Sequence, residues 1–250
     1  MGRLHNSEKR PMNEELAQKR RLLSPGNRFR FSCHNEISCF NTCCADISIF
    51  LMPYDILRMR RASGLSSGEF LKRYTIPLLV DNGLPLAALK MMDNKNKTCP
   101  FVASDGCKIY QDRPWSCRMF PIFTSPSGGK SFFIEERNSC LGYKEEKWWT
   151  IEGWKKDQGI DIYDKMNELY EEITLNEFFL KGNKLDPEKS RMLYLACYDL
   201  DEFKKFLFET RYFDAYDVER GIVEKIEKDQ EQLLDFGYKW AISNLLKERP

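Results

Sequence analysis

Eight cysteines carry the chemistry open to this 250-residue chain: Cys33, Cys39, Cys43, Cys44, Cys99, Cys107, Cys117 and Cys140, all within 108 residues. The spacings are C-x5-C-x3-C-C, then C-x7-C-x9-C, with 22 residues between Cys117 and Cys140. A thiol is a small apolar side chain, a disulfide half or a soft metal ligand. Ordinary core packing accounts for any one of these cysteines. It does not account for eight together, with four inside twelve residues and polar neighbours around them. Nine cysteines in 250 residues also fall well below the ~8–10% that marks a disulfide scaffold. Adjacent Cys43 and Cys44 make a poor disulfide pair, because the small ring strains the peptide bond.

Metal binding accounts for the whole set. Thiolates select zinc, copper(I) or iron–sulfur clusters. A four-thiolate zinc site is usually built on C-x2-C knuckles, and the chain has none. An iron–sulfur cluster also takes four cysteines and tolerates wider, irregular spacing. Cys99-Pro100 points weakly the same way. Eight cysteines satisfy one cluster plus one zinc, two equivalent sites, or one site with structural thiols left over. Side chains of neighbouring residues diverge along an extended backbone. Cys43 and Cys44 therefore either face different metals or divide into a ligand and a core or reactive residue.

Other candidates rank below the cysteines. Arg113 and Arg118 bracket Cys117, where a guanidinium would lower thiol pKa values and offset cluster charge. Helix packing is the alternative role for Arg118. His34 follows Cys33 directly and is read as a polar neighbour before a ligand, and His5 lies in the basic leader. With no Cys/His base pair, cysteine-protease chemistry is unsupported. Neither G-x-G-x-x-G nor G-x-x-x-x-G-K-[ST] occurs. Cys197, on the apolar side of a helical pattern, reads as core. Trp148, Trp149 and Trp154 read as packing at a junction rather than as a stacking platform.

These residues need a frame. Hydrophobic residues make up 42% of the chain and net charge is +1, so a sizeable core is available and no acidic or nucleic-acid partner is indicated. No window approaches the ~20 apolar residues of a membrane span. The first residues lack a secretory apolar stretch, so the expected location is the cytoplasm, where thiols stay reduced. Residues 1–29 read as a basic, flexible leader with a short helix over 13–22. A cysteine-cluster domain over 30–143 begins at the strand-like "RFRFSC". It contains a helix from Pro53 to Gly64, a capping box at Ser66 and Glu69, and a hairpin turning at Asp81-Asn82-Gly83. Short strands follow at "GCKIY" and on both sides of "SPSGG", and Asp112 is placed to cap a short helix. Residues 144–250 read as a helical region packed on that domain. Thr150 and Asp186 open helices, and the last helix runs over 216–247. The expected class is α+β: a small cysteine-rich half of short strands and helices, then a helical half.

"CFNTCCAD" followed by "CPFVASDGCKIYQDRPWSCRMFP" resembles the YkgJ-like cysteine-cluster family of zinc- or iron-chelating domain proteins. The elements C-P-F, G-C-x-I-Y and R-P-x-x-C-R-x-x-P match in order and spacing, over about residues 31–143. The resemblance implies a zinc or iron centre held by Cys33, Cys39, Cys43, Cys44, Cys99, Cys107 and Cys117, with Cys140 matching a later, less regular cysteine. The family's first segment is C-x2-C-x2-C-C, whereas this chain has C-x5-C-x3-C-C. Flagellin lysine N-methylases are similar in cysteine pattern and imply an alternative, an iron–sulfur-dependent group-transfer enzyme. The expected function is a metal-binding protein holding an iron–sulfur cluster or zinc, with no catalytic residue or protein partner identified.

Overall fold

The computed structural model describes residues 20–24, 26–124, 131–210, 212–216 and 218–247. Its strands are β1 (Arg20–Leu23), β2 (Arg28–Arg30), β3 (Phe50–Leu51), β4 (Thr75–Leu79), β5 (Pro85–Leu89), β6 (Val102–Ala103), β7 (Gly106–Cys107), β8 (Ile122–Thr124), β9 (Phe132–Glu135) and β10 (Trp148–Thr150). Its helices are α1 (Pro53–Ser63), α2 (Ser67–Tyr74), α3 (Trp115–Met119), α4 (Ile151–Asp157), α5 (Asp161–Thr174), α6 (Glu177–Leu180), α7 (Pro187–Cys197), α8 (Leu200–Glu209), α9 (Tyr212–Ala215), α10 (Arg220–Lys228) and α11 (Gln230–Leu245). Short antiparallel strands precede a helical C-terminal part, so the class is α+β as the sequence implies. No helix among the described residues is long and apolar enough to cross a membrane.

The chain divides into two interleaved units. One is built from residues up to Phe40 together with Met119–Asp157, and the other from Asn41–Arg118 together with Gln158 onward.

The first unit pairs β1 with β9 and β9 with β8, and separately pairs β10 with β2, all antiparallel. Residues 20–22, expected at the end of a helix, form part of β1 instead. Leu23 is buried there while Arg20–Leu22 face outward, so cross-strand pairing outweighs local helix propensity. The rest of that expected helix, and the "SPSGG" turn, lie outside the described residues. Aromatic edges fill the core: Phe31 meets Phe120, Tyr143 and Trp154 at centroid distances of 5.5, 5.4 and 5.6 Å. Trp149 Nε1 donates to the Phe31 carbonyl at 2.8 Å and Trp154 Nε1 to the Met119 carbonyl at 3.2 Å. These two tryptophans therefore pack within this unit. Thr150 caps α4 as expected, accepting from Gly153 N at 3.0 Å.

The second unit holds a three-stranded sheet, β3-β5-β4, a small β6-β7 hairpin, and the remaining helices. The β4–β5 hairpin turns at Gly83 (φ 83°), where only glycine sits without strain. The capping box of α2 forms, with Ser66 N donating to Glu69 Oε2 at 3.1 Å and Glu69 N to Ser66 Oγ at 3.3 Å. Helix α5 buries Tyr163, Met166, Tyr170 and Ile173 at three- and four-residue spacing. Asp186 caps α7 through Lys189 N at 2.8 Å, with Pro187 in its first turn. Cys197 is buried in the same core, as expected. The single helix expected over 216–247 is two, α10 and α11. Between them Asp229 takes extended backbone, and its carboxylate accepts from Glu231 N and Gln232 N. An aspartate able to cap a new helix competes with continuing the old one.

Candidate metal centre

The second unit contains Cys43, Cys44, Cys99, Cys107 and Cys117. Asn41 enters the left-handed region (φ 65°), and its side-chain amide donates to the Ala103 carbonyl at 2.9 Å. Cys44 N closes the resulting turn on the Asn41 carbonyl at 3.0 Å. The chain then runs antiparallel to residues 97–99. Ala45 bridges Thr98, Cys99 N donates to the Cys44 carbonyl at 2.8 Å, and Asp46 N to the Lys97 carbonyl at 3.0 Å. Cys44 and Cys99 are thereby held on adjoining segments.

The Cys43 and Cys44 thiols are hydrogen-bonded to each other. This differs from the divergence expected of an extended pair, because Cys43 lies in the turn rather than on a strand. Backbone N–H groups of Phe101 and Val102 point at the Cys99 sulfur, and that of Ile109 at the Cys107 sulfur. The β6-β7 hairpin pairs Cys107 with Val102, three residues after Cys99.

Cys117 comes from α3. That helix does not use Asp112 as its cap: Asp112 receives Arg58 Nε at 2.8 Å instead. The first N–H of α3, from Trp115, goes to Asp55 Oδ1 at 2.8 Å, and the Trp115 indole N–H goes to Asp164 Oδ1 at 2.7 Å. Asp55 also opens α1, accepting Met52 N at 2.9 Å. The sequence signal for Asp55 is its place three residues into α1, behind Met52; its partner in α3 has no local signature.

The two arginines beside Cys117 differ. Arg118 is buried, gives its hydrogens to the carbonyls of Gln111, Arg113 and Gln158, and stacks 4.5 Å from the Tyr163 ring centroid. It stitches the loop and helix together. Arg113 bonds the Tyr110 carbonyl and Gln158 Oε1, and its charge favours the thiolates of both Cys107 and Cys117.

Burial and mutual repulsion hold the thiols protonated. Cys117 is pushed up to about 12, first by burial and then by the Cys99, Asp55 and Cys107 charges, against the pull of Arg113. Cys44 is pushed up strongly, first by its bond to Cys43, then by burial and the charges of Cys43, Cys117 and Cys99. Cys99 and Cys107 rise through burial, opposed by the N–H groups aimed at them. Each thiolate that forms destabilises the next, and a cation among them reverses that balance. The donor set therefore fits a soft metal. Among the described residues, no three Cys, His, Asp or Glu side chains stand at coordinating geometry as they are.

The first unit contains Cys33, Cys39 and Cys140. Leu141 N donates to Cys39 Sγ at 3.2 Å, which sets Cys39 against the Cys140–Leu141 peptide. A Cβ at Gly142 would lie 2.8 Å from both the Phe31 ring and the Ser32 carbonyl oxygen, so glycine lets the Cys140 segment press against residues 31–32. Cys33 is exposed. His34 Nε2 lies 3.2 Å from Glu145 Oε2 and Nδ1 lies 3.8 Å from Glu36 Oε2, so both ring nitrogens face carboxylates.

Residues 32–145 match the family model CxxCxxCC, described as "Putative zinc- or iron-chelating domain". This stretch, just under half of the chain, is similar to the domains of that family. The match spans all eight clustered cysteines and excludes Cys197. No curated protein and no solved structure matches the chain.

Proposed function

We propose that the protein holds a resident iron–sulfur or zinc centre in its second unit, with Cys44, Cys99, Cys107 and Cys117 as ligands and Cys43 beside them. Cys33, Cys39 and Cys140 supply thiolates in the first unit and complete the eight-cysteine set. The observation supporting this reading is the mutual electrostatic coupling of the second unit's thiols, combined with backbone N–H groups aimed at Cys99 and Cys107. N–H bonds to sulfur stabilise a thiolate more than a thiol, and they tune a bound metal or cluster.

Such a centre would tie together segments far apart in sequence, and as a cluster it would supply one-electron redox chemistry. The chain's own residues do the rest. Asn41 turns Cys43 toward Cys44, the β6-β7 hairpin presents Cys107, and Arg113 offsets anionic charge. Reduced thiols of this kind persist in a reducing compartment, which favours the cytoplasm.

Anaerobic purification with metal analysis and a visible spectrum tests the reading. Bound iron with a thiolate-to-iron charge-transfer band identifies a cluster, and a colourless protein with stoichiometric zinc identifies zinc. Protein that carries neither metal, and takes up neither on reconstitution, overturns the proposal.

A further inference from the structure

Asp55 is no member of the thiol set, yet two helix starts meet on its carboxylate. Oδ2 accepts the Met52 N–H that opens α1, and Oδ1 accepts the Trp115 N–H that opens α3, sixty residues further along the chain. The side chain is almost completely buried, at 1% exposure. A buried carboxylate is costly unless it is well hydrogen-bonded. Arg118, whose charge favours that carboxylate, directs hydrogens at three backbone carbonyls. A neutral Ser, Thr or Asn side chain caps one helix as well as an aspartate does. Two acceptor oxygens on one side chain are what joining two helix starts requires.

Helix α3 has only five residues and cannot hold its conformation alone. Its first residue, Trp115, is pinned twice: its backbone to Asp55 on α1 and its indole to Asp164 on α5. Cys117 stands two residues beyond that anchor. Cys44 and Cys99 are fixed by their own backbone pairing, so the placement of α3 decides where the Cys117 sulfur stands relative to theirs.

We infer that Asp55 is a positioning residue for the thiol centre: it locks α3 onto α1 and thereby aims Cys117 at Cys44, Cys99 and Cys107. This rests on the metal-binding function proposed above. A group that orients a ligand without touching the metal typically changes metal affinity by about 10–100-fold when removed.

Cobalt(II) serves as the probe, because its visible bands report the number and geometry of bound thiolates. The full-length chain, stripped of metal and titrated with cobalt(II), is compared with Asp55→Asn, in which an amide N–H must face one of the two backbone donors. The expected result is a fall of about 10–100-fold in cobalt affinity, with weakened sulfur-to-cobalt charge transfer and shifted ligand-field bands. Glu69→Gln, which alters the exposed cap of α2, leaves the spectrum unchanged. If Asp55→Asn does not fold, Asp164→Asn loosens Trp115 from the other side, and a smaller shift in the same direction is expected. Wild-type bands and affinity in the folded Asp55→Asn protein, or in Asp164→Asn where that variant stands in for it, overturn the positioning role alone. A wild-type chain that binds no cobalt through thiolate overturns the metal reading itself.

Discussion

The thiols of the two units sit in different surroundings. Cys39 and Cys140 meet on loops beside a sheet, through one N–H bond to sulfur, and Cys33 is exposed. In the other unit Cys99, Cys107 and Cys117 come from a loop, a hairpin and a helix, and the charges of Cys99 and Cys107 act on Cys117. Thiols whose charges act on one another titrate together, so their charge state is a collective property. The contrast is between thiols placed on loops beside a sheet and thiols from a loop, a hairpin and a helix whose charges act on one another.

Metal removal tests this contrast most severely. Stripping the protein with a strong chelator is expected to abolish the cooperative melt of the second unit's cysteine segment, because a structural metal contributes folding free energy directly. Near-ultraviolet circular dichroism and calorimetry before and after chelation check it, and an unchanged melt breaks the comparison.

Single ligand changes come next. Cys117→Ser is expected to lower bound metal at least about tenfold, whereas Cys33→Ser, at an exposed position, has a smaller effect. Metal content after gel filtration separates the two.

The pH response sharpens the comparison further. In the absence of metal, the Cys117 thiol is pushed from 9.0 up to about 12, so it carries its proton at neutral pH. Metal must displace that proton, and affinity is expected to climb about tenfold per pH unit for each proton released. Titration calorimetry in two buffers of different ionisation enthalpy counts those protons. The same raised value has a stability sign. The folded thiol holds its proton more tightly than the unfolded chain does. Its contribution is complete below pH 9 and is lost as pH rises through 12. Metal-free protein should lose stability over that alkaline window, and loaded protein should not.

The smallest effect belongs to Cys197. Cys197→Ala removes one buried heavy atom from the helical core and is expected to cost about 1 kcal/mol. Metal content stays unchanged, as a thermal melt paired with metal analysis would show.

The sequence made visible what depends on residue type and short spacing. The cysteine cluster, the hairpin at Gly83, the caps at Ser66, Thr150 and Asp186, and the core place of Cys197 are all local signals. What stayed hidden depends on partners far along the chain. Strand β1 looks helical until β9 supplies its hydrogen bonds. Helix α3 looks capped by Asp112 until the fold brings Asp55 to it from sixty residues away. Cys39 and Cys43 are four positions apart yet belong to different units, a division that no spacing rule encodes.

The interleaving of the units also sets a timetable. Arg20 finds its strand partner at Glu135, so the first strand leaves the ribosome more than a hundred residues before β9 exists. At roughly 5–20 residues per second, that wait lasts on the order of ten seconds. The segment holding Cys43 through Cys117 is complete within the interval, while Cys33 and Cys39 still await the Cys140 segment. The second unit closes no earlier than the first, because Gln158 and Asp164, which hold Arg113 and Trp115, follow Cys140 in the chain, so the cysteines reach their final places only once most of the chain has been made.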